Sequence, residues 1–376
     1  MQRRDTSALR ITKCIVSYGY FHHTPVESDI QYSVQILTKF QTYAIFDCMI
    51  DWKTFPRPIV ALAPMADMTD LPFCLICKEQ GAPLMFREMV SSEAVIRHNP
   101  KTLEMARFDE GERPLIQQIF GSDPATMAEA ARIIEEQFHP DGIDINMGCQ
   151  VYNIVSNFNG ASLMKEPERA SAMIKAVKAA VTVPVSVKTR LGWSKDTDIL
   201  EFVKVLEDAG TDLISIHGRT KEQGYSGSAN WERVGEAKQR TSLPVLINGD
   251  IVDSATATEA LNRSGADGVL IGRGALGNPW IFAELQHALS PKTHPKPIPP
   301  TLEDRIRVVR QHAEWHIQRY GTHGLIKLRK HLPFYFKKEL AATMPWIDFK
   351  ELRAKLVRVT TMEDLDAIIL PLSALR

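Results

Sequence analysis

The chain has 376 residues, of which 44% are hydrophobic and 24% charged, and its formal net charge is zero. That composition excludes a disordered or collagenous chain and fits a globular one with one large domain and a smaller one. No apolar run approaches the length of a membrane span. The five cysteines are an odd count in a long chain, which argues against a disulfide framework and for a reducing compartment, the cytoplasm.

Residues 1–48 sustain no period and contain no secretory apolar core, so they read as an extension outside the fold, disordered or belonging to an over-long gene model. From Ile59 a unit repeats: an apolar run, a polar turn, then a helical stretch. The strand candidates are 59–65, 83–90, 114–121, 142–149, 183–191, 212–219, 244–251 and 267–274. Helical patterns fill the gaps at 124–138, 167–180, 197–209 and 254–264, with start signals at Asp123-Pro124, Glu166-Pro167 and Asp253-Ser254. Cys74 and Cys77 have CxxC spacing, but no second pair completes a zinc site and the pattern is helical, so they read as core. Alternating strands and helices predict a (β/α)8 TIM barrel over 49–289. A doubly wound sheet is the weaker alternative, because no G-x-G-x-x-G turn follows the first strand. The proline-rich stretch 290–300 reads as a stiff linker, and 301–376 as a small C-terminal helical domain. Arg305, Arg307, Arg310, Arg319, Lys327, Arg329, Lys330, Lys337 and Lys338 face only Glu314 in that window and interleave with aromatics. That balance predicts a surface for a polyanion such as RNA.

Strand parity picks out the barrel interior. Ser186, Lys188 and Arg190 share one face of the fifth strand, Ser215, His217 and Arg219 one of the sixth, and Leu246, Asn248 and Asp250 one of the seventh. The third strand places Gln117 or Gln118 inside. Buried cations need a partner, so cationic groups at one barrel mouth predict an anionic or electron-rich ligand. Asn248-Gly249-Asp250 and Gly272-Arg273-Gly274 are the glycine loops that commonly cradle a phosphate in this fold. A phosphate-bearing cofactor follows, with flavin mononucleotide (FMN) the leading candidate. Cys149 stands just past the fourth strand, where such barrels keep their chemistry.

The chain carries in order the motifs APMADMTD (63–70), EMVSSEA (88–94), QIFG (118–121), DINMGC (144–149), GASLM (160–164), VKTRLGW (187–193), IHGRT (216–220), NGDI (248–251), GADGVLIGRGALGNPWIF (265–282) and, in the tail, GLIKLRKHLPFYFK (324–337). Together these motifs resemble those of the tRNA-dihydrouridine synthases of the bacterial type. They run in the family's order and span about 51–360. The resemblance implies FMN-dependent reduction of tRNA uridines to 5,6-dihydrouridine, with NADPH or NADH as reductant. FMN would be held by Pro64, Met65, Ala66, Gln118 and Lys188, and by His217, Asn248, Gly249, Asp250, Gly272 and Arg273 at its ribityl-phosphate end. Cys149 would give the proton to C5 while flavin N5 gives hydride to C6. Asn146, Arg190, Arg329 and Lys330 would contact tRNA; no metal is implied, and a monomer is expected. The family's usual proline after the cysteine is Gln150 here, and a basic loop residue is Asn153, which reads as altered loop geometry. Two other readings remain open: a flavin barrel for a small dihydropyrimidine-like metabolite, and a tRNA binder whose catalytic loop has decayed.

Overall fold

A computed structural model describes residues 50–150, 159–337 and 345–374. The N-terminal extension, Asn153 and Lys338 lie outside the described residues.

The parallel barrel closes in the order β1-β2-β3-β4-β5-β6-β7-β8, as the alternation predicts. The strands are β1 Ile59–Leu62, β2 Met85–Ser91, β3 Leu115–Phe120, β4 Gly142–Met147, β5 Val185–Arg190, β6 Leu213–His217, β7 Val245–Asn248 and β8 Gly268–Ile271. Outward residues such as Ile143, Ile145, Val185, Val187, Ile214, Ile216, Val245 and Ile247 pack beneath the helices. Each fully buried side chain of this kind contributes roughly 1.5–3 kcal/mol. β2 is irregular: its register with β3 shifts between Arg87 and Val90. Arg87 is buried there and forms a bidentate pair with Glu112 at 3.0 and 2.9 Å.

The barrel helices are α1 Leu71–Glu79, α2 Ser92–Ile96, α3 Pro100–Ala106, α4 Pro124–Phe138, α5 Pro167–Ala180, α6 Ile199–Asp208, α7 Trp231–Lys238, α8 Ser254–Ser264 and α9 Ile281–Leu289. Asp123 and Asp253 cap α4 and α8, accepting from the amides of Thr126 and Thr256. Glu166 makes no side-chain cap for α5, which relies on Pro167 in its first turn. Cys74 and Cys77 are free, fully buried thiols in α1, whose burial pushes their pKa well up.

The tail contributes α10 Leu302–Tyr320, α11 Gly324–Leu328, α12 Leu332–Tyr335, α13 Phe349–Leu356 and α14 Met362–Ile369. It packs on the barrel through one apolar cluster that joins Ile76 of α1 and Trp280 to Leu302, Leu328, Tyr335 and Phe336. Residues 49–376 form one compact unit, so 290–300 connects two packed parts.

Candidate active site

The inward side chains change character along the strands. Ile59, Leu84, Phe86, Ile116, Leu213, Leu246 and Leu270 fill the amino-terminal half, against which Trp52, Ile50 and Phe55 pack from ahead of β1. Above them polar groups connect. Asp144 accepts hydrogen bonds from Ser186 Oγ and Gln118 Nε2, both at 2.6 Å. Gln118 Oε1 accepts from Asn146 Nδ2 at 2.8 Å. Asn146 Oδ1 in turn accepts from the amides of Gly148 (3.1 Å) and Cys149 (2.9 Å). This chain of bonds fixes the turn that carries the Cys149 thiol at the barrel mouth. The Cys149 carbonyl accepts from Ala161 N at 3.0 Å, and a Cβ on Gly160 would come within 2.9 Å of it. Only glycine lets the returning chain approach so closely, and its φ of 61° is also in the left-handed region.

Charge at the mouth is set by burial and by neighbouring cations. Burial pushes Asp144 up to about 6, against the opposing pull of its two hydrogen bonds and Lys188. Burial, then Arg190, brings Lys188 down to about 8. Lys188 is partly open to the cavity, and among the described residues its ammonium makes no hydrogen bond or ion pair. Burial and the surrounding cations hold His217 well below its usual pKa, so it is a neutral imidazole. Arg219 Nη1 lies 3.4 Å from His217 Nε2, an arrangement that assigns the proton to Nδ1.

The other cations have partners. Arg190 donates to the carbonyls of Gly148 (2.8 Å), Thr220 (2.9 Å) and Gly224 (3.0 Å), tying the loops after β4 and β6 together. Arg219 pairs with Asp250 at 2.8 and 2.7 Å, and Asp250 also accepts from Ala229 N. The carboxylate of Asp250 therefore shapes the β7 loop through Arg219. Gly249 and Gly272 are glycines for different reasons. At Gly249 φ is 114° and a Cβ would lie 2.8 Å from His217 Cδ2, so the protein itself demands glycine. At Gly272 the nearest atoms to a Cβ would be Met65 S at 3.6 Å and Ala63 Cβ at 3.8 Å, so packing does not forbid a side chain. The space over Gly272 belongs to the cavity.

That cavity, of about 1060 Å3, is lined by Pro64, Met65, Ala66, Gln118, Asn146, Cys149, Lys188, Arg190, His217, Asn248, Gly249, Asp250, Gly272 and Arg273. Small-molecule sites typically occupy roughly 300–1,000 Å3. The donor set fits FMN: an unpaired ammonium, bare glycine backbone beside Arg273, side-chain amides, and apolar Met65, Met89, Leu270 and Leu276 for a ring face. Arg329 and Lys330 do not line it. Arg329 donates to the carbonyls of Val359 (2.7 Å) and Arg358 (3.1 Å), closing the end of α13. Other basic residues of the tail are also paired: Arg307 with Asp304, Arg310 with Asp366, Arg319 with Glu104, and buried Arg305 with the carbonyls of Gly277 and Tyr335.

Met89, Gln150, Tyr225 and Phe334 also line the cavity and were not foreseen. Tyr225 is 58% exposed, with Arg273 4.5 Å and Arg190 5.9 Å from its ring centre. An aromatic within the polar run 224–230 was the available signal. Gln150, where proline was expected, lies against Gly224: a Cβ there would be 3.2 Å from its Oε1.

Fold and site thus define a (β/α)8 barrel with a cofactor-sized cavity of mixed polar and apolar lining and a thiol at its carboxyl-terminal mouth. Residues 61–368 match the sequence model of the dihydrouridine synthase family, and the chain belongs to that family of enzymes. "Probable tRNA-dihydrouridine synthase" of Rhodobacter capsulatus is 40% identical over 306 residues, 81% of this chain and 91% of that protein. "Probable tRNA-dihydrouridine synthase 1" of Synechocystis sp. is 39% identical over 281 residues, 74% of this chain and 78% of that one. For "tRNA-dihydrouridine synthase B" of Pasteurella multocida the identity is 36%, over 74% of this chain and 83% of the relative. The family resemblance read from the motifs is borne out.

Proposed function

We propose that this chain reduces the 5,6 double bond of uridines in tRNA, using non-covalent FMN at the barrel mouth and NADPH or NADH as reductant. The observation that supports it best is the meeting, in one cavity, of the Cys149 thiol, the unpaired Lys188 ammonium and the open backbone at Gly272. When bound, the flavin supplies hydride equivalents to the base.

The protein's own groups do the rest. Lys188 offers positive charge to an electron-rich cofactor edge, and its lowered pKa shows how poorly the site tolerates that charge without a partner. His217, neutral with its proton on Nδ1, acts as a donor. Gly272 and Arg273, which line the cavity, would receive the phosphate end. Cys149 holds the proton destined for C5, on a turn fixed by Asn146 and Arg190. Those two residues, expected at the substrate, line the cavity and position the thiol loop. A base reaches the mouth only when unstacked, and exposed Tyr225, flanked by arginines, offers it a face.

The test is incubation of the full-length protein with FMN, NADPH or NADH, and tRNA lacking dihydrouridine, followed by nucleoside mass spectrometry. The expected result is a two-hydrogen mass gain on specific uridines. Reduction of free uracil or uridine with tRNA untouched would instead establish the metabolite enzyme. Tight tRNA binding without flavin or product would establish the binder.

A further inference from the structure

Outside the cavity, a second buried polar cluster lies where the tail meets the barrel. Asp70 is the N-cap of α1; His312 and His316 lie one turn apart on one face of α10; His331 stands just ahead of α12. One ligand atom from each lies within 4.8 Å of the others. Relative exposures are 3%, 0%, 0% and 1% in that order, and no member lines the cavity.

Burial alone does not account for this arrangement. Nε2 of His312 and both ring nitrogens of His316 and His331 make no hydrogen bond among the described residues. A neutral imidazole carries one donor and one acceptor, and buried polar atoms are normally satisfied. His316 Nε2 is 3.7 Å from Asp70 Oδ2, too far for a hydrogen bond. The Gly324 backbone favours a proton on His316, yet neither ring nitrogen is satisfied by a hydrogen bond. Three imidazoles with unsatisfied nitrogens thus converge on one carboxylate.

We propose that Asp70, His312, His316 and His331 bind a divalent transition cation of the zinc class and so tie the tail to α1. Imidazole nitrogen with one carboxylate oxygen suits zinc, whereas calcium and magnesium demand oxygen ligands. Tetrahedral bonds of about 2.0–2.1 Å place ligand atoms about 3.3 Å apart, so the side chains close inward by small rotations. The surrounding groups orient the ligands as metal sites require. Tyr335 Oη lies 3.0 Å from His312 Nδ1, leaving Nε2 to ligate. Tyr320 Oη donates to Asp70 Oδ2 at 3.1 Å, and Phe73 N to Oδ1 at 3.3 Å. Burial keeps all three imidazoles neutral, the form that ligates. Lys330, whose charge acts on all four groups, and Lys327, which acts on His316, are the cations that oppose a metal here; Lys330 is partly exposed and Lys327 exposed, so solvent screens both. Four protein ligands fill the tetrahedron, so the ion is structural. It anchors the helix that follows the loop of Pro64, Met65 and Ala66.

The experiment is metal analysis by plasma mass spectrometry of full-length protein purified without a polyhistidine tag or chelator. The wild type should carry, or take up on zinc addition, about one equivalent per chain, and lose thermal stability on chelation. Cobalt(II) should give the visible bands of a tetrahedral nitrogen and oxygen site. His316→Ala and His331→Ala should lose the metal, with circular dichroism reporting whether each still folds. Asp70→Asn keeps the N-cap, and should weaken binding at least about tenfold, the usual cost of altering a metal's surroundings. If the histidine variants do not fold, the wild-type cobalt spectrum and Asp70→Asn decide. Wild-type protein that takes up no metal and ignores chelator, or His316→Ala that keeps its full complement, would overturn the proposal and leave a packed imidazole core.

Discussion

The two ends of the barrel are built from the same strands and differ in what their inward positions carry. At the amino-terminal end Leu84, Phe86, Ile116, Leu213 and Leu246 interlock with Trp52 into an apolar plug. At the carboxyl-terminal end Gln118, Asn146, Lys188, His217 and Asn248 line a cavity. One end is chosen for volume and holds the barrel together; the other carries strain. A buried carboxyl pushed up to about 6 and an ammonium brought down to about 8 both cost folding stability near neutral pH. Stability is given up where the ligand is to bind, and recovered where it is not.

The comparison breaks first at Cys149. Cys149→Ala should leave flavin binding and reduction by the nicotinamide near normal, and slow the tRNA-dependent reoxidation by about two to four orders of magnitude, the range for a lost general acid. Single-turnover kinetics separate the half-reactions, and reoxidation at the wild-type rate would move the proton donor elsewhere. At the opposite end Phe86→Ala should cost about 3–5 kcal/mol by chemical denaturation, the toll of an emptied aromatic core site. It should not alter the tRNA-dependent step while the protein stays folded; slowing comparable to Cys149→Ala would mean that the ends do not divide the work.

A smaller effect sharpens the comparison. The folded pKa of Asp144, about 6, lies above its ordinary value of 3.8, so the folded state binds this proton more tightly than the unfolded one. Its contribution to stability is full below about 4 and is lost as pH rises through about 6. Asp144→Asn should remove that loss, gaining about 1–2 kcal/mol over the wild type at pH 7 without FMN. Denaturation curves measured from pH 4 to 7 that stay parallel for the two proteins would show that Asp144 is not strained.

Much of this was legible in the sequence. Period-two alternation shows Ser186, Lys188, His217 and Asn248 sharing the interior, because a strand can present them only that way. Motif order placed Cys149 and both glycine loops. The roles of charged side chains were harder to read. Asp250, expected at the cofactor's phosphate end, lines the cavity, and its carboxylate also holds Arg219, a pairing between loops that parity does not reveal. The basic window of the tail was read as an unbalanced surface, yet Asp304, Asp366 and Glu104 neutralise several of its arginines from outside that window. Met89 reaches the cavity next to an irregular register in β2, and Phe334 comes from the tail, so no barrel period points to either. His312, His316 and His331 acquire significance only when α1 brings Asp70 among them.

The most direct test of the account is titration of the wild-type protein and Lys188→Met with FMN, followed by flavin fluorescence. The central claim is that the carboxyl-terminal mouth, marked by Lys188, which has no partner among the described residues, seats the flavin. It predicts one FMN per wild-type chain and binding weaker by roughly 10–100-fold in the variant, as for loss of a charge-assisted contact worth about 1.5–3 kcal/mol. Wild-type protein with no affinity for FMN, or equal affinity in both proteins, would contradict it.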